Sequence, residues 1–242
     1  MKTTSARFQF HGGIALLAIC AGLLAKTAFA HDLWLDDANG RVTLQQGHKH
    51  SEHAGAETLD YRPDFVQSAR CFNEAGETSL PAPESASPWR VRADCAAMLL
   101  ATSSGYWTKT PWETRNAPKT GISPVIKSWR AQESLKRLFR WSEVGGQALG
   151  EGLEIVPQNN PFALQAGDKL TVQVLAGKQP LPNVAVAYGG DTRGATGPDG
   201  RIAIRLRHGG VQLISASREV PLNDGKADVL IDATTLQFNL AP

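Results

Sequence analysis

The chain has 242 residues, with 25 Lys and Arg against 23 Asp and Glu and a formal net charge of +2. A charge so close to zero argues against the basic face that nucleic-acid binding needs, so we expect no nucleic-acid partner. The length allows one large domain or two small ones.

The first thirty residues have the pattern of a secretory signal peptide. Lys2 and Arg7 make a basic start, the apolar run 14–25 is too short to span a bilayer comfortably, and residues 28–30 read Ala-Phe-Ala, a small-x-small cleavage site. The alternative is an uncleaved anchor, but no stop-transfer pattern follows. We predict cleavage after Ala30, a periplasmic location and no transmembrane segment in the mature chain. Three basic residues are lost with the signal, which leaves 22 Lys and Arg against 23 Asp and Glu, so the mature protein is nearly neutral.

Four of the six histidines follow this cleavage site closely: His31, His48, His50 and His53. As the first mature residue, His31 offers an α-amine and an imidazole, which can chelate one metal ion. In an extended segment His48 and His50 point the same way, and a turn brings in His53. Such nitrogen donors suit nickel, cobalt, copper or zinc, so we predict a divalent transition-metal site. The alternative is a solvated polar loop that is rich in histidine.

Signal cleavage also removes Cys20 and leaves Cys71 and Cys95. An even pair in an exported protein predicts one disulfide, which closes a loop of about 25 residues and contributes about 3 kcal/mol. Free thiols or metal ligands are the alternatives, but the CxxC spacing that would favour a metal is absent.

The stretch "GYWTKTPWETRNAPKT" (105–120) is rich in aromatic residues. Tyr106, Trp107 and Trp112 are candidates to line a binding groove. The simpler interpretation is a half-buried edge strand that leads into a loop.

One short helix is predicted over residues 128–141, "SWRAQESLKRLFRW". Its apolar spacing is i, i+3, i+4, i+7, which is typical of an amphipathic helix. The positions are Leu135, Leu138, Phe139 and Ser142. Basic residues on the other side predict a solvated face, with a docking surface for an acidic partner as the alternative; they are Arg130, Lys136, Arg137 and Arg140.

Gly145-Gly146 after this helix suggests a domain boundary between a β-rich N-terminal domain (31–147) and a C-terminal domain (148–242). In the C-terminal part, "DKLTVQVLA" (168–176) and "RIAIRLR" (201–207) alternate polar and apolar residues, and short turns separate the strands. This predicts a mainly β protein that ends in an immunoglobulin-like or prealbumin-like antiparallel β-sandwich. The side chains expected to point inward are Val172, Val174, Ile202, Ile204 and Leu206.

The usual catalytic motifs are missing: GxSxG, HExxH and GxxxxGK[ST] do not occur. We therefore expect a binding protein rather than an enzyme. A copper-dependent oxidative enzyme is one alternative, because such enzymes also begin with a mature histidine; His208 would then be the distant ligand. A third possibility is an adhesion or carbohydrate-binding module that uses the aromatic residues of 105–120.

Several stretches together resemble the NikM-like periplasmic family, a domain of unknown function associated with nickel and cobalt uptake. They are "AHDLWL", "GHKHSEH", "GYWTKTP", "NAPKT", "LGEGLEIVPQNNPFALQAGDKLTVQVLAGKQPL", "GPDGRIAIRL" and "GGVQLISAS". The resemblance implies an exported β-rich protein that delivers or senses nickel or cobalt beside a membrane transporter component. By position it supports His31, His48 and His50 as ligands.

Overall fold

The computed structural model describes residues 31–49 and 57–241, and in that part nearly all of the regular secondary structure is β-strand. The first nine strands are β1 (Asp32–Ala38), β2 (Arg41–His48), β3 (Glu57–Thr58), β4 (Val66–Asn73), β5 (Gly76–Thr78), β6 (Ser85–Ala86), β7 (Trp89–Arg92), β8 (Ala97–Lys109) and β9 (Thr114–Arg115). The later strands are β10 (Lys127–Leu138), β11 (Leu153–Pro157), β12 (Lys169–Ala176), β13 (Gln179–Pro180), β14 (Ala185–Tyr188), β15 (Asp191–Ala195), β16 (Arg201–Arg205), β17 (Gly210–Pro221) and β18 (Val229–Leu240). Short 3-10 helices occur at Glu143–Gly146 and Pro161–Ala163.

The predicted signal peptide, His50 and His53 lie outside the described residues. Among the residues that are described, no helix has the length and apolar character needed to cross a membrane.

The strands form three sheets. The N-terminal sheet has the order β1-β2-β7-β6, with β3 on β2. The central sheet has the order β15-β14-β17-β18-β10-β8-β4-β5, with β9 on β8. The C-terminal sheet has the order β11-β12-β13, with β16 on β12.

The central sheet has a buried cluster on each face. Successive side chains along its strands point to opposite sides, so neighbouring residues contribute to different clusters. Met98, Leu100 and Leu135 pack in one buried cluster with the N-terminal sheet, whose apolar side chains there are Leu33, Leu35, Val42 and Leu44. Ala97 and Leu99 belong to the other cluster. That cluster also contains Val172, Val174, Ile204, Leu206, Leu236 and Phe238. The fold is thus sandwich-like on both sides of the central sheet, and the prediction of a mainly β protein is confirmed.

The alternation of polar and apolar residues in 168–176 and 201–207 correctly predicted which side chains of these strands point inward. Val172, Val174, Ile204 and Leu206 are buried, and Ile202 is partly buried against the same cluster. These strands have one buried face each, which is the case that period-two patterning describes well.

The predicted helix over 128–141 is wrong. Residues 127–138 form β10, which pairs antiparallel with β8 and parallel with β18. Leu135 and Leu138 belong to different clusters, on opposite faces of the sheet. Their helical spacing is therefore coincidental, since a strand that is buried on both faces need not alternate.

The predicted solvated basic face is wrong for Lys136 and Arg137, which are buried, whereas Arg130 and Arg140 are exposed. Lys136 reaches Glu154 of β11, with 2.9 Å between Nζ and Oε1. Arg137 donates to Asn239 Oδ1 at 3.0 Å. Burial lowers the pKa of Arg137 to about 10, although Asp37 and Asp36 of β1 act in the opposite direction. Partners in neighbouring strands allow these charges inside the protein.

Strands from both sides of residue 147 share the central sheet. β8 and β10 come before that position and β17 and β18 after it, and the parallel pair of β10 and β18 joins the two groups. The N-terminal and C-terminal sheets, by contrast, each use strands from only one side of it.

The predicted disulfide between Cys71 and Cys95 is confirmed, with the two Cα atoms 5.5 Å apart. Both residues are buried in the cluster beneath the N-terminal sheet. The bond fastens β4 to the segment that enters β8.

Candidate functional site

The hairpin of β1 and β2 places His31 opposite His48. Asp32 pairs with Gly47, so the next pair outward is His31 with His48. The two ring centroids are 5.0 Å apart, with an interplanar angle of 54°. The backbone N–H of Lys49 donates to Asp32 Oδ2 at 2.9 Å, which fixes this end of the hairpin. Two of the four predicted ligands are therefore side by side on an ordered element.

The spacing of this histidine pair fits one shared ion. Metal–nitrogen bonds of about 2.0–2.1 Å, with an angle of about 90–110° between them, put two imidazole centroids about 4.5–5 Å apart. His31 is exposed and His48 is half-buried, so an ion has access from solvent. Within 31–49 and 57–241, no group of three or more His, Cys, Asp or Glu residues is arranged to hold a metal. The remaining donors of such an ion would come from elsewhere.

His31 also lines a cleft of about 920 Å³. The cleft lies on the face of the central sheet that the N-terminal sheet covers only in part. Strands β8, β10, β17 and β18 of the central sheet form the floor of the cleft. Small residues on these strands leave room for it, and they are Gly105, Ala131, Ser217 and Ala233. Gly105 has a φ of +80° beside a register shift in the pairing of β8 with β10, a conformation that favours glycine.

Two tryptophans form one end of the floor. Trp107 and Trp129 are directly paired across β8 and β10, and their rings are nearly parallel, with centroids 6.3 Å apart and an angle of 10°. Trp107 Nε1 donates to Ser104 Oγ at 2.9 Å, which holds that ring in place. Both side chains are partly exposed, so a flat molecule has an aromatic surface to pack on.

Glu133 lies on the same floor, toward His31. One carboxylate oxygen accepts a hydrogen bond from Thr235 Oγ1 at 3.0 Å, and the other has no hydrogen-bond partner among the described residues. Burial raises the pKa of Glu133 to about 7; the Thr235 hydrogen bond opposes this, and the negative charge of Asp32 adds to it. A cation or an N–H donor in the cleft would therefore be favoured beside this carboxyl group.

Tyr61, in the wall of the cleft, is held by two hydrogen bonds of its hydroxyl group. Its hydroxyl donates to the carbonyl of Leu44 at 2.8 Å and accepts from the backbone N–H of Trp89 at 2.7 Å. Its ring contacts Phe65, with centroids 5.0 Å apart. Asn116, which also lines the cleft, donates from Nδ2 to two carbonyls of β8. These contacts fix the positions of the Tyr61 and Asn116 side chains in the lining of the cleft.

The aromatic residues of 105–120 divide between two places. Tyr106 and Trp107 line the cleft, whereas Trp112 is 76% exposed and takes no part in it. The simpler interpretation holds for residues 105–107, which are half-buried and pair with β10 alone, since β4 pairs only with residues 97–102 of β8 and β9 only with Thr108 and Lys109. Sequence reasoning missed Trp129 and Glu133, which fell inside the predicted helix.

His208 is held away from this site. Its ring stacks on Tyr188, with centroids 6.0 Å apart, and its Nδ1 lies 3.3 Å from Gln212 Nε2. Gln212 pairs with Phe238 of β18, whereas Glu133 pairs with Ala233. Five residues of strand separate the two positions by about 16 Å. The structure therefore does not bring His208 together with His31.

Comparison with known proteins gives a family without an assigned activity. No curated protein matches the chain. Among solved structures, the D0-D1 domain of Intimin matches at 13% identity, covering 86% of this chain and 97% of that chain, with a TM-score of 0.21, too low to support an argument from that structure. A family model described as "Domain of unknown function (DUF4198)" matches residues 28–220. The chain belongs to the DUF4198 family.

Proposed function

We propose that the protein is an exported, non-catalytic binding protein for a divalent late transition metal, nickel or cobalt, and that it serves metal uptake beside a membrane transporter component in the periplasm. The observation that carries the proposal is the cross-strand pair of His31 and His48, with centroids 5.0 Å apart. The resemblance to the NikM-like family supports the choice of cargo.

The donor chemistry agrees with this cargo. Late transition metals prefer imidazole and amine nitrogens to the oxygen ligands that calcium and magnesium take. Signal cleavage after Ala30 would add the α-amine of His31 as a third nitrogen. Affinity at such a site rises from cobalt through nickel to copper, so binding in vitro ranks copper first whatever the cell supplies.

The fold supports a site prepared before the ion arrives. Register between β1 and β2 fixes both backbones, and Leu33 and Leu35, on the same face of β1 as His31, are buried. Only the two imidazole side chains then lose freedom on binding, which lowers the entropic cost.

The test is calorimetric titration of the processed protein with Ni(II). We expect His48→Ala, and a form with Gly added before His31, each to weaken binding by about tenfold or more, because each removes or blocks one nitrogen donor. His208→Ala is the matched control, since it removes an imidazole outside the site and should leave the affinity unchanged. Equal affinity in all four proteins would refute the proposal and indicate a loose polar loop.

A further inference from the structure

The cleft beside the histidine pair is far larger than an ion needs. Its volume is about 920 Å³. A water molecule takes about 30 Å³, so even an ion with six waters would fill only a fraction of it. Sites of about 300–1,000 Å³ usually hold small organic molecules. Because His31 itself lines the cleft, an ion bound to His31 and His48 would face this space.

An ion held by the histidine pair would also lack donors. Two imidazoles, with or without an α-amine, leave at least one position of a four-coordinate ion open and more of a six-coordinate ion. The described carboxylates are not placed to complete the set. A second molecule bound in the cleft would be well placed to supply the missing donor atoms.

The cleft has the chemistry to hold such a molecule. Trp107 and Trp129 offer nearly parallel, partly exposed rings for a flat group. Glu133 keeps one carboxylate oxygen without a hydrogen-bond partner among the described residues. An amine that is bound to a metal still carries N–H bonds, and this oxygen can accept one of them.

From these contacts, and resting on the proposed function, we infer that the cargo is a metal chelate, in which an amino-acid-type chelator occupies the cleft while the ion binds His31 and His48. The chelator supplies amine and carboxylate donors to the ion. Its N–H groups face Glu133, and its flat or apolar part packs on Trp129. No covalent bond forms or breaks, and recognition is by coordination, hydrogen bonding and packing.

The test is equilibrium dialysis of the processed protein with radiolabelled Ni(II) and differently labelled L-histidine in twofold excess. We expect both labels to be retained together. Glu133→Gln should lower histidine retention by about tenfold, since it weakens a hydrogen bond to a charged acceptor. Trp129→Ala should lower it by about fivefold through lost packing. Trp129→Ala should not alter the affinity for Ni(II) alone by more than about twofold, because it removes neither a nitrogen donor nor a charge.

Controls distinguish a failure of this inference from a failure of the proposed metal-binding function. Trp112→Ala removes an exposed indole outside the cleft and should change nothing. Thermal unfolding of each variant verifies that it is folded. If both compounds are present and the protein retains the nickel label but not the histidine label, the inference is overturned and the proposed function stands. If histidine is retained equally well when nickel is omitted, the inference is also overturned, since the cleft would then bind the amino acid alone. Retention of neither label also overturns the inference, because free histidine then keeps nickel from the protein. Failure to retain Ni(II) when histidine is omitted would refute the proposed function.

Discussion

The side-chain amide of Gln237 forms hydrogen bonds with both backbone groups of Leu35, as the backbone of a neighbouring strand would. Gln237 Oε1 accepts from the backbone N–H of Leu35 at 2.7 Å, and its Nε2 donates to the carbonyl of the same residue at 2.8 Å. Leu35 belongs to β1, the outer strand of the N-terminal sheet, and Gln237 is a fully buried residue of β18. This pair of hydrogen bonds fastens the strand that follows His31 to the central sheet.

Gln237→Leu should therefore destabilise the protein. It leaves the N–H and C=O of Leu35 buried without partners, at a cost of about 1–3 kcal/mol each. We expect the free energy of unfolding, measured in urea, to fall by about 2–4 kcal/mol. Gln67→Leu removes an exposed hydrogen bond and should cost less than about 0.5 kcal/mol. Similar losses in the two variants would contradict the role given to Gln237.

The buried pair of Lys136 and Glu154 gives a second prediction. Lys136→Met should lower the free energy of unfolding by about 3–5 kcal/mol, because Glu154 is left charged and buried without its cation. Adding Glu154→Gln should recover much of this loss, since an amide oxygen in the position of Oε2 still accepts from the backbone N–H groups of Leu149 and Gly150.

Lys127 of the same strand provides the control. Its partner Glu219 is exposed, so Lys127→Met should cost less than about 1 kcal/mol. Urea unfolding of the three variants gives the comparison. A double variant as unstable as Lys136→Met alone would show that the charge of Glu154 is not the cause.

The disulfide should contribute through the unfolded chain. Cys71 and Cys95 are separated by 24 positions, and closing such a loop is expected to add about 3 kcal/mol of stability. We expect the double change Cys71→Ala and Cys95→Ala to lower the free energy of unfolding by about 2–4 kcal/mol. Reductant should destabilise the original protein but not the variant. Intact-mass analysis that finds both thiols alkylated without reductant would disprove the bond.

Glu133 should make stability depend on pH. Its pKa of about 7 in the folded protein lies above the ordinary value of 4.5, so the folded state holds this proton more tightly than the unfolded chain does. The stabilisation is fully present below pH 4.5 and is lost as pH rises through 7.

Glu133→Gln removes that loss. We expect the variant to match the original protein near pH 4.5 and to be more stable near pH 8 by about 1–2 kcal/mol, a value reduced for partial exposure to solvent. Urea unfolding at both pH values measures the difference, in which the other titrating groups cancel. Glu151→Gln at an exposed position should show no such change. A constant difference between Glu133→Gln and the original protein at the two pH values would refute the assignment.

The histidine pair was within reach of the sequence. Asn39 and Gly40 have φ values of 56° and 69°, as a two-residue hairpin turn requires, and this turn pairs Ala38 with Arg41. Counting outward equally along both strands then pairs His31 with His48. The turn chemistry and the alternation of side chains are local properties, so they can be read from neighbouring residues.

The floor of the cleft was out of reach for a physical reason. Glu133 faces it because β10 runs parallel to β18, whose residues come 100 positions later in the chain. Nothing near Glu133 in the sequence signals that pairing. The end of β10, residues 135–138, is buried on both faces, and polar residues of the strand have distant partners, as Ser134 has in Thr234. Its pattern of polar and apolar residues therefore imitated a helix.

The interior position of β18 sets an order of events during synthesis. Leu35 and Gln237 are 202 positions apart, and β18 fits between β10 and β17, which are both made earlier. At about 5–20 residues per second, the ribosome makes Gln237 some 10–40 s after Leu35. Throughout that interval Leu35 lacks the two hydrogen bonds that Gln237 supplies. An ion that meets the growing chain meets histidines on a hairpin that is not yet bonded to β18, so we expect loading of the site to follow completion of the chain.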